Sequence, residues 1–318
     1  MRSSQGSAGA RLLGVGGYRP QNTLTNEELA TRFGKSADWV AARTGMRGRA
    51  VAAKDERVPD MAAAAGAAAL ADADITEDEI DLVIAASCSA ATPIPSVAAE
   101  TAGLLGIKSA GAFDVNSACA GFCYAIAVAS DLVRAGSANR VLVIGAERMS
   151  TWIDDNDLGT AIIFGDGAGA AVVGASDDLG IGPVVWGSDG TASELIAIDP
   201  EDRYLRMQGR QVFRWATTEI HPVALTACEN AGVAPEELAA IIPHQANLRI
   251  VDAIAAKLGA DNAVVAHDGE DTGNTSAASI PLALARLRET GQVGTGDLAL
   301  LIGFGAGLAY AAQVVRVP

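Results

Sequence analysis

Cys119, His244 and Asn274 are the side chains from which this sequence could build a reaction. Cys119 stands in Asn116-Ser-Ala-Cys-Ala-Gly-Phe122, after the apolar run Ala112 to Val115, which reads as a short buried strand. From Cys119 to Val133 small and apolar residues recur at helical spacing, and Gly136 supplies a stop. The cysteine therefore falls at a strand-to-helix junction, where unpaired N–H groups and the helix dipole favour a thiolate. A thiolate is the nucleophile that thioester chemistry needs, whereas the plain alternative is a small core cysteine. His244 follows the predicted strand Ala239 to Ile242, and Asn274 lies in Gly273-Asn-Thr-Ser-Ala-Ala-Ser279, which leads into another helix. A histidine Nε2 and an Asn amide can donate to a thioester carbonyl and stabilise the enolate left when a malonyl group loses CO₂. The backbone N–H groups of Cys119 and of the turn Phe304-Gly-Ala-Gly307, Ala306 among them, could bind the oxyanion of acyl transfer. His221, before a proline in a helix, is read as a surface residue, and His267, in an acidic loop, is a weaker base. No His/Cys cluster has ligand spacing, so no metal site is expected.

The bulk properties narrow the partners. A chain of 318 residues, half of them apolar, can bury one large core or two closely packed ones. A net charge of −15 argues against nucleic acid and demands a local basic patch if the partner is itself acidic. Four cysteines without regular spacing do not form a disulfide framework. Residues 1–10 read as a loose polar tail without the apolar region of a signal peptide, and no apolar stretch reaches membrane-spanning length. A cytoplasmic protein without membrane contact is the expectation.

The elements that must position the three residues alternate between strand and helix. Leu12 to Tyr18 is a strand, Thr25-Asn-Glu-Glu28 a capping box, and Ser36 to Arg43 a short helix. Trp39, near Arg43, Arg47 and Arg49, could stack on an adenine and meet phosphates, or could equally pack one face of a small helix. Thr76-Glu-Asp-Glu79 is a second capping box, Leu82 to Ala86 a buried strand, and Ser96 the cap of a helix to Leu105. Gly165-x-Gly167-x-Gly169 invites a dinucleotide reading, but Ala170 to Val173 returns as a strand where a phosphate loop should open a helix, so that reading is rejected. A long helix from about Gln211 to Asn230 contains Pro222 and is expected to bend there.

The halves run in phase at a shift of 158 residues, the distance from Asn116 to Asn274. Ile80 to Ile84 then falls on Leu238 to Ile242, and Leu142 to Gly145 on Leu300 to Gly303. This pattern is that of a duplicated α/β unit, with the site expected where strand ends meet the seam.

At these residues the chain resembles the thiolase superfamily and, more closely, the β-ketoacyl-acyl carrier protein synthase III family, the initiating condensing enzymes of bacterial fatty acid synthesis. The resemblance covers nearly the whole chain and is actinobacterial in style. It rests on Ser117-Ala-Cys-Ala-Gly-Phe122, Phe164-Gly-Asp-Gly-Ala-Gly169, Pro243-His-Gln-Ala-Asn-Leu-Arg-Ile250 and Gly273 to Ser279. It implies an α/β thiolase-like fold of duplicated halves in a five-layered αβαβα arrangement, residues 1–178 carrying the nucleophile and 179–318 the His and Asn. It implies a Cys119–His244–Asn274 triad, acylated by a short acyl-CoA and then condensed with malonyl-acyl carrier protein, in a homodimer that needs no cofactor besides its substrates. It further implies that Trp39 and Arg43 hold the adenine end of CoA, that Thr44 and Asn247 lie along the pantetheine tunnel, and that Arg214 and Arg249 meet the acidic carrier protein. Phe304 and Ile94 would shape the primer pocket, Ile94 by reaching across the dimer.

Three departures stand out. Leu158 occupies the place of a family arginine that clamps the adenine, the segment from Gly190 to Gly209 is short, which points to a reduced cover over the tunnel, and Ile94 is aliphatic, which points to primers larger than acetyl. A degradative thiolase would need a second cysteine near the C-terminal glycine turn, and none follows Cys228. A hydroxymethylglutaryl-CoA synthase would need a catalytic glutamate, which these motifs do not supply. The remaining rivals are a starter-unit ketosynthase of a polyketide pathway and a non-condensing acyl-CoA or carrier-protein binding protein.

Overall fold

In the computed structural model, which describes residues 4–318, local sequence signals explain most element boundaries. The chain opens with β1 (Gly9–Tyr18) and a small antiparallel pair, β2 (Asn22–Thr25) and β3 (Gly48–Val51). Between these last two lie α1 (Asn26–Phe33) and α2 (Ala37–Thr44). The Thr25–Glu28 capping box is formed, and Ser36 caps α2 by accepting from Trp39 N–H. Next come α3 (Val58–Ala73), β4 (Leu82–Ala86), α4 (Val97–Leu105, capped by Ser96), β5 (Gly111–Val115), α5 (Gly121–Arg134) and β6 (Arg140–Arg148). The single turn α6 (Leu158–Ala161) precedes β7 (Asp166–Ser176). The second part holds β8 (Val185–Gly187), the hairpin β9 (Ile196–Ile198) and β10 (Leu205–Met207), and the long α7 (Gly209–Ala231). It ends with β11 (Ala240–Pro243), α8 (Leu248–Ala255), β12 (Val264–Val265), the turn α9 (Gly269–Thr272), α10 (Ser279–Glu289), β13 (Leu298–Phe304) and β14 (Tyr310–Arg316).

Two five-stranded sheets follow, of order β1-β7-β6-β4-β5 and β8-β14-β13-β11-β12. In each, the last three strands run parallel and the first two pair antiparallel, so the sheets match strand for strand. Helices α5 and α10 lie between them, packed in one apolar cluster with the inner faces of both sheets (Ile126, Val143, Leu284, Leu301). Helices α3 and α4 cover the outer face of the first sheet, and α7 covers that of the second with α8. The result is a five-layered αβαβα stack.

The 158-residue register holds at the centre. It places β4 on β11 and β6 on β13, and it relates Ala118 (φ +43°) to Ser276 (φ +49°), two residues in left-handed backbone ahead of the central helices. It also relates Gly145 to Gly303. A Cβ on Gly145 would sit 2.3 Å from the Ala277 carbonyl oxygen, and one on Gly303 would sit 2.8 Å from Ala120 Cα. Each glycine thus lets a turn from one half press onto a strand of the other. The register drifts away from the centre, where β5 and β12 differ in length and offset.

Several expectations change. The tail is shorter than read, because Gly9 and Ala10 already pair with Ser176 and Ala175; residues 1–3 of it lie outside the described residues. β5 is not buried: it is the sheet edge, and Phe113 is 38% exposed. The second capping box opens only the 3-10 turn Glu77–Glu79, since Ile80 returns at once to extended backbone. The glycines of Gly165 to Gly169 lead into a strand, with Gly169 paired to Gly17 and Gly145, in keeping with the rejected nucleotide reading. Among the described residues no helix is long and apolar enough to cross a membrane.

The seam glycines generate a stability prediction. Gly145→Ala should cost about 1–3 kcal/mol, the scale of overpacking a filled interior. Gly103→Ala, in the exposed part of α4 with open space at its Cβ position, should instead stabilise by about 0.5–1 kcal/mol. Urea denaturation of both variants checks this; equal effects would remove the close-approach explanation.

Candidate active site

Cys119, His244 and Asn274 all line one cavity of about 850 Å³, together with Phe304, Gly305 and Ala306. Cys119 and His244 follow the ends of β5 and β11, whereas Asn274 follows the turn α9 and bridges to Phe164.

Cys119 lies in the 3-10 turn Ala118–Ala120, and α5 begins two residues later at Gly121. Gly305 packs directly on it: a Cβ there would come 3.0 Å from the sulfur, so only glycine lets the Gly305–Ala306 turn approach Cys119. Cys119 is partly buried and faces the cavity. Burial pushes the thiol up to about 12, opposed in part by the Ser276 hydroxyl beside it.

His244 leaves β11 with its N–H donated to Ile302 O at 2.8 Å, which ties it to β13. Its ring is buried, with Phe304 edge-on at a centroid distance of 5.3 Å. Nδ1 meets Ser279 Oγ at 2.7 Å, and the same oxygen accepts from Gln245 N–H at 3.3 Å. In the tautomer in which Ser279 Oγ donates to Nδ1, Nε2 carries hydrogen into the cavity. Burial lowers the histidine to about 3, so it is a neutral donor. Asn274 is fixed from both sides: its N–H donates to Ile163 O at 2.9 Å and its carbonyl accepts from Gly165 N–H at 3.0 Å. Its Oδ1 accepts from Ser276 N–H at 2.8 Å, which turns Nδ2 toward the cavity and toward Ala246 O at 3.5 Å. Two neutral N–H donors and a thiol at one closed end can stabilise an enolate and accept an acyl group.

The other predicted residues divide. Trp39 and Arg43 line the mouth, the Arg43 guanidinium 6.0 Å from the indole centroid. Thr44 and Asn247 also line it, but their polar atoms are engaged: Thr44 Oγ1 donates to Val40 O, and Asn247 caps α8 and donates to Arg43 O at 3.1 Å. Arg47 and Arg49 are not available for phosphates. Arg47 pairs with Glu270 and Asp271, and Arg49 is wholly buried, bonded to Ile162 O, because the α2–β3 bend folds it under α6. Arg249 lines the mouth over the Phe213 ring, whereas Arg214 is exposed on α7 outside the lining. Leu158 is part of the apolar wall, as are Ile196, Ile198 and Met207 of the β9–β10 hairpin, so the short segment still supplies a cover. Ile94 does not reach the cavity of its own chain and is 81% exposed. His221 is half-buried rather than a surface residue, and His267 pairs with Asp252; neither lines the cavity.

Sequence reasoning missed Glu147, Ser276, Ser279 and Arg210. Ser276 and Ser279 lie within a quoted motif, but nothing in its order shows which side chain faces which. Glu147 carried a legible signal, a carboxylate ending the apolar strand that runs from Val141 to Ala146.

Comparison with known proteins adds to this geometry. Family models described as 3-oxoacyl-[acyl-carrier-protein] synthase III match residues 113–190, and its C-terminal counterpart matches residues 228–317. A β-ketoacyl-[acyl-carrier-protein] synthase III of Streptomyces coelicolor is 49% identical over 98% of this chain and 99% of its own. The chain belongs to the β-ketoacyl-[acyl-carrier-protein] synthase III family. A Mycobacteroides abscessus synthase III is 48% identical, over 96% of this chain and 94% of its own, which bears out the actinobacterial resemblance. Among solved structures, the priming β-ketosynthase of a polyketide biosynthetic pathway superposes with TM-score 0.97 at 44% identity, covering 100% of this chain and 98% of that one. The synthase III of Aquifex aeolicus gives 0.92 at 40% identity, covering 96% and 99%. The thiolase-like fold expected of a synthase III is therefore the one observed.

The neutral His244 predicts a pH dependence of stability. Between about 3 and 6.5 the unfolded chain binds a proton that the folded histidine refuses, so stability falls as pH falls through that window. The slope from this group is at most about 1.4 kcal/mol per pH unit. His244→Gln should flatten the parent's stability curve between pH 4 and 6 in urea titrations, and an unchanged slope would contradict the neutral buried ring.

Proposed function

We propose that this enzyme condenses an acyl-CoA primer with malonyl-acyl carrier protein through an acyl-Cys119 intermediate, initiating fatty acid synthesis. The observation that carries the reading is the convergence of a thiol and two neutral N–H donors at the closed end of one cavity whose mouth carries Trp39 and Arg43. Cys119 sulfur attacks the primer thioester, and the Cys119 and Ala306 N–H groups hold the oxyanion while CoA leaves. Malonyl-acyl carrier protein then enters the same cavity. His244 Nε2 and Asn274 Nδ2 donate to its thioester carbonyl, CO₂ departs, and the enolate carbon attacks the acyl-Cys119 carbonyl. Neutrality of His244 suits this role, because a donor stabilises the forming charge without first trapping the malonate carboxylate as an ion pair.

The partners follow from the surface. Arg43, Arg210, Arg214 and Arg249 lie on or near the mouth and form no ion pair among the described residues, a local cationic field on an acidic protein that suits an acidic carrier. The exposed edge strand β5, with Phe113, Leu104 and Ile94 exposed nearby, supports a homodimer that carries Ile94 to the partner's pocket. The reading divides the chain into halves 1–178 and 179–318 and requires no cofactor. It places the enzyme in the cytoplasm, where Cys88, Cys119, Cys123 and Cys228 remain free thiols. A starter-unit ketosynthase is the second reading, favoured by the 0.97 superposition on a polyketide priming enzyme.

The deciding experiment is intact mass after incubation with a panel of acyl-CoAs. One acyl group per chain, on Cys119 by peptide map and absent from Cys119→Ser, is expected; acylation of another cysteine would overturn the assignment. Primer ranking in the same panel separates a fatty-acid from a polyketide starter enzyme. Asn274→Ala should still load, yet condense about 10²- to 10³-fold more slowly, the scale of a lost oxyanion donor. Condensation at the parent rate would remove Asn274 from the malonyl step.

Primer choice gives a second prediction. With Ile94 as the wall, branched and four- to five-carbon primers should load at least as well as acetyl, graded by about 1–3 kcal/mol per methylene. Ile94→Phe should return the preference to acetyl. An unchanged ranking would place the wall elsewhere.

A further inference from the structure

Glu147, behind the cavity-lining Cys88 and Ser276, is a buried carboxyl that the condensation chemistry leaves unused. It ends β6, is fully buried and has no cationic partner among the described residues. Its two oxygens are instead surrounded by donors: Ser87 Oγ at 3.2 Å, Cys88 N–H at 3.1 Å, Cys88 Sγ at 3.3 Å, Ser276 Oγ at 3.0 Å, and the Ser89 hydroxyl. Every one of these groups can donate to an ionised carboxylate. An ionised carboxylate buried without a cation is costly, and such groups concentrate at working sites.

Ser276 connects this carboxylate to the reaction. Its hydroxyl meets Glu147 Oε1 at 3.0 Å and Cys88 Sγ at 3.7 Å, its turn packs on the turn that carries Cys119, and Cys88, Cys119 and Ser276 line the same cavity. Its backbone is held at φ +49°, a conformation costly for serine. We propose that Ser276 and Glu147 form the proton relay that ionises Cys119 for acylation. As the sulfur attacks the primer carbonyl, its proton passes to Ser276 Oγ, and the Ser276 proton passes to Glu147 Oε1. The S–C bond to CoA breaks, and the proton returns by the same route or from solvent to the departing CoA thiolate. One thiol and one thioester thus become another thiol and another thioester. Neutral, edge-packed His244 is then kept for the malonyl step.

Burial raises the Cys119 thiol, so an acceptor within reach of its turn assists ionisation. Burial also raises the Glu147 carboxyl, which brings it nearer to the thiol as an acceptor. Titratable groups facing Glu147 are Cys88, from the loop after β4, and Cys119, from the turn before α5. Arg148 and Asp166, adjacent on the β6–β7 ladder, alternate to the opposite face, where Arg148 donates to Glu56 O and Asp166 accepts from Ala52 and Ser150 N–H. The inference rests on Cys119 being the acyl carrier.

The test is the rate of acetyl loading from acetyl-CoA, followed by quenched intact mass between pH 6 and 10. Ser276→Ala and Glu147→Gln should each load about 10²-fold or more slowly at pH 7, the usual worth of a positioned base. Both should recover with rising pH, about tenfold per unit, as hydroxide replaces the relay. Once loaded by long incubation, both should condense with malonyl-acyl carrier protein at near the parent rate, because no thiol proton remains to be moved. Parent-like loading at pH 7, or a loss that runs parallel to the parent at every pH, overturns the relay. Should Glu147→Gln fail to fold, Ser276→Ala decides, since it leaves the carboxylate and its other donors in place. A peptide map of the loaded parent separates the two layers: acyl on another cysteine overturns the nucleophile assignment along with the relay, whereas acyl on Cys119 with parent-like variants overturns the relay alone.

Discussion

The structure depends on two turns crossing one seam. The turn Ala118–Ala120 belongs to the first sheet yet rests on Gly303 of the second, and the turn Ser276–Ala278 belongs to the second yet rests on Gly145 of the first. A side chain at either glycine would hold the turns apart. Because interiors are packed like crystals, a displacement at the seam would be passed on rather than absorbed. Cys119, His244 and Asn274 therefore share one cavity because backbone meets backbone there. The left-handed residues Ala118 and Ser276 are the local cost of that approach.

Burial then sets the electrostatics. Exclusion of water lowers His244, raises Cys119 and raises Glu147, each by desolvation of its charged form. The same enclosure strengthens every hydrogen bond that meets developing charge. A site of this kind gains in donor strength what it loses in resting ionisation.

The surface works on a different scale. A net charge of −15 would repel an acidic partner at long range, but screening confines each charge to about 8–10 Å, so the field at the mouth is governed by Arg43, Arg210 and Arg249. Distribution rather than total charge decides what approaches.

The sequence by itself singled out three residues that the structure brings to one cavity, together with most of the scaffold. Cys119 and His244 were legible at strand-to-turn junctions, Asn274 through its motif Gly273 to Ser279, and the alternation of buried strands and capped helices follows from period and capping chemistry alone. The duplication was legible too, wherever strands keep their spacing, as in β4 with β11 and β6 with β13. Tertiary structure alone decided what depends on neighbours far along the chain. Arg49 reads as a surface arginine until α6 covers it, and β5 reads as buried until it proves to be an edge. Ser279 gains its role from His244, 35 residues away, and Glu147 from Ser276, 129 residues away. Hydrogen-bond direction and desolvation are properties of enclosure, and no local pattern encodes which groups will be enclosed together.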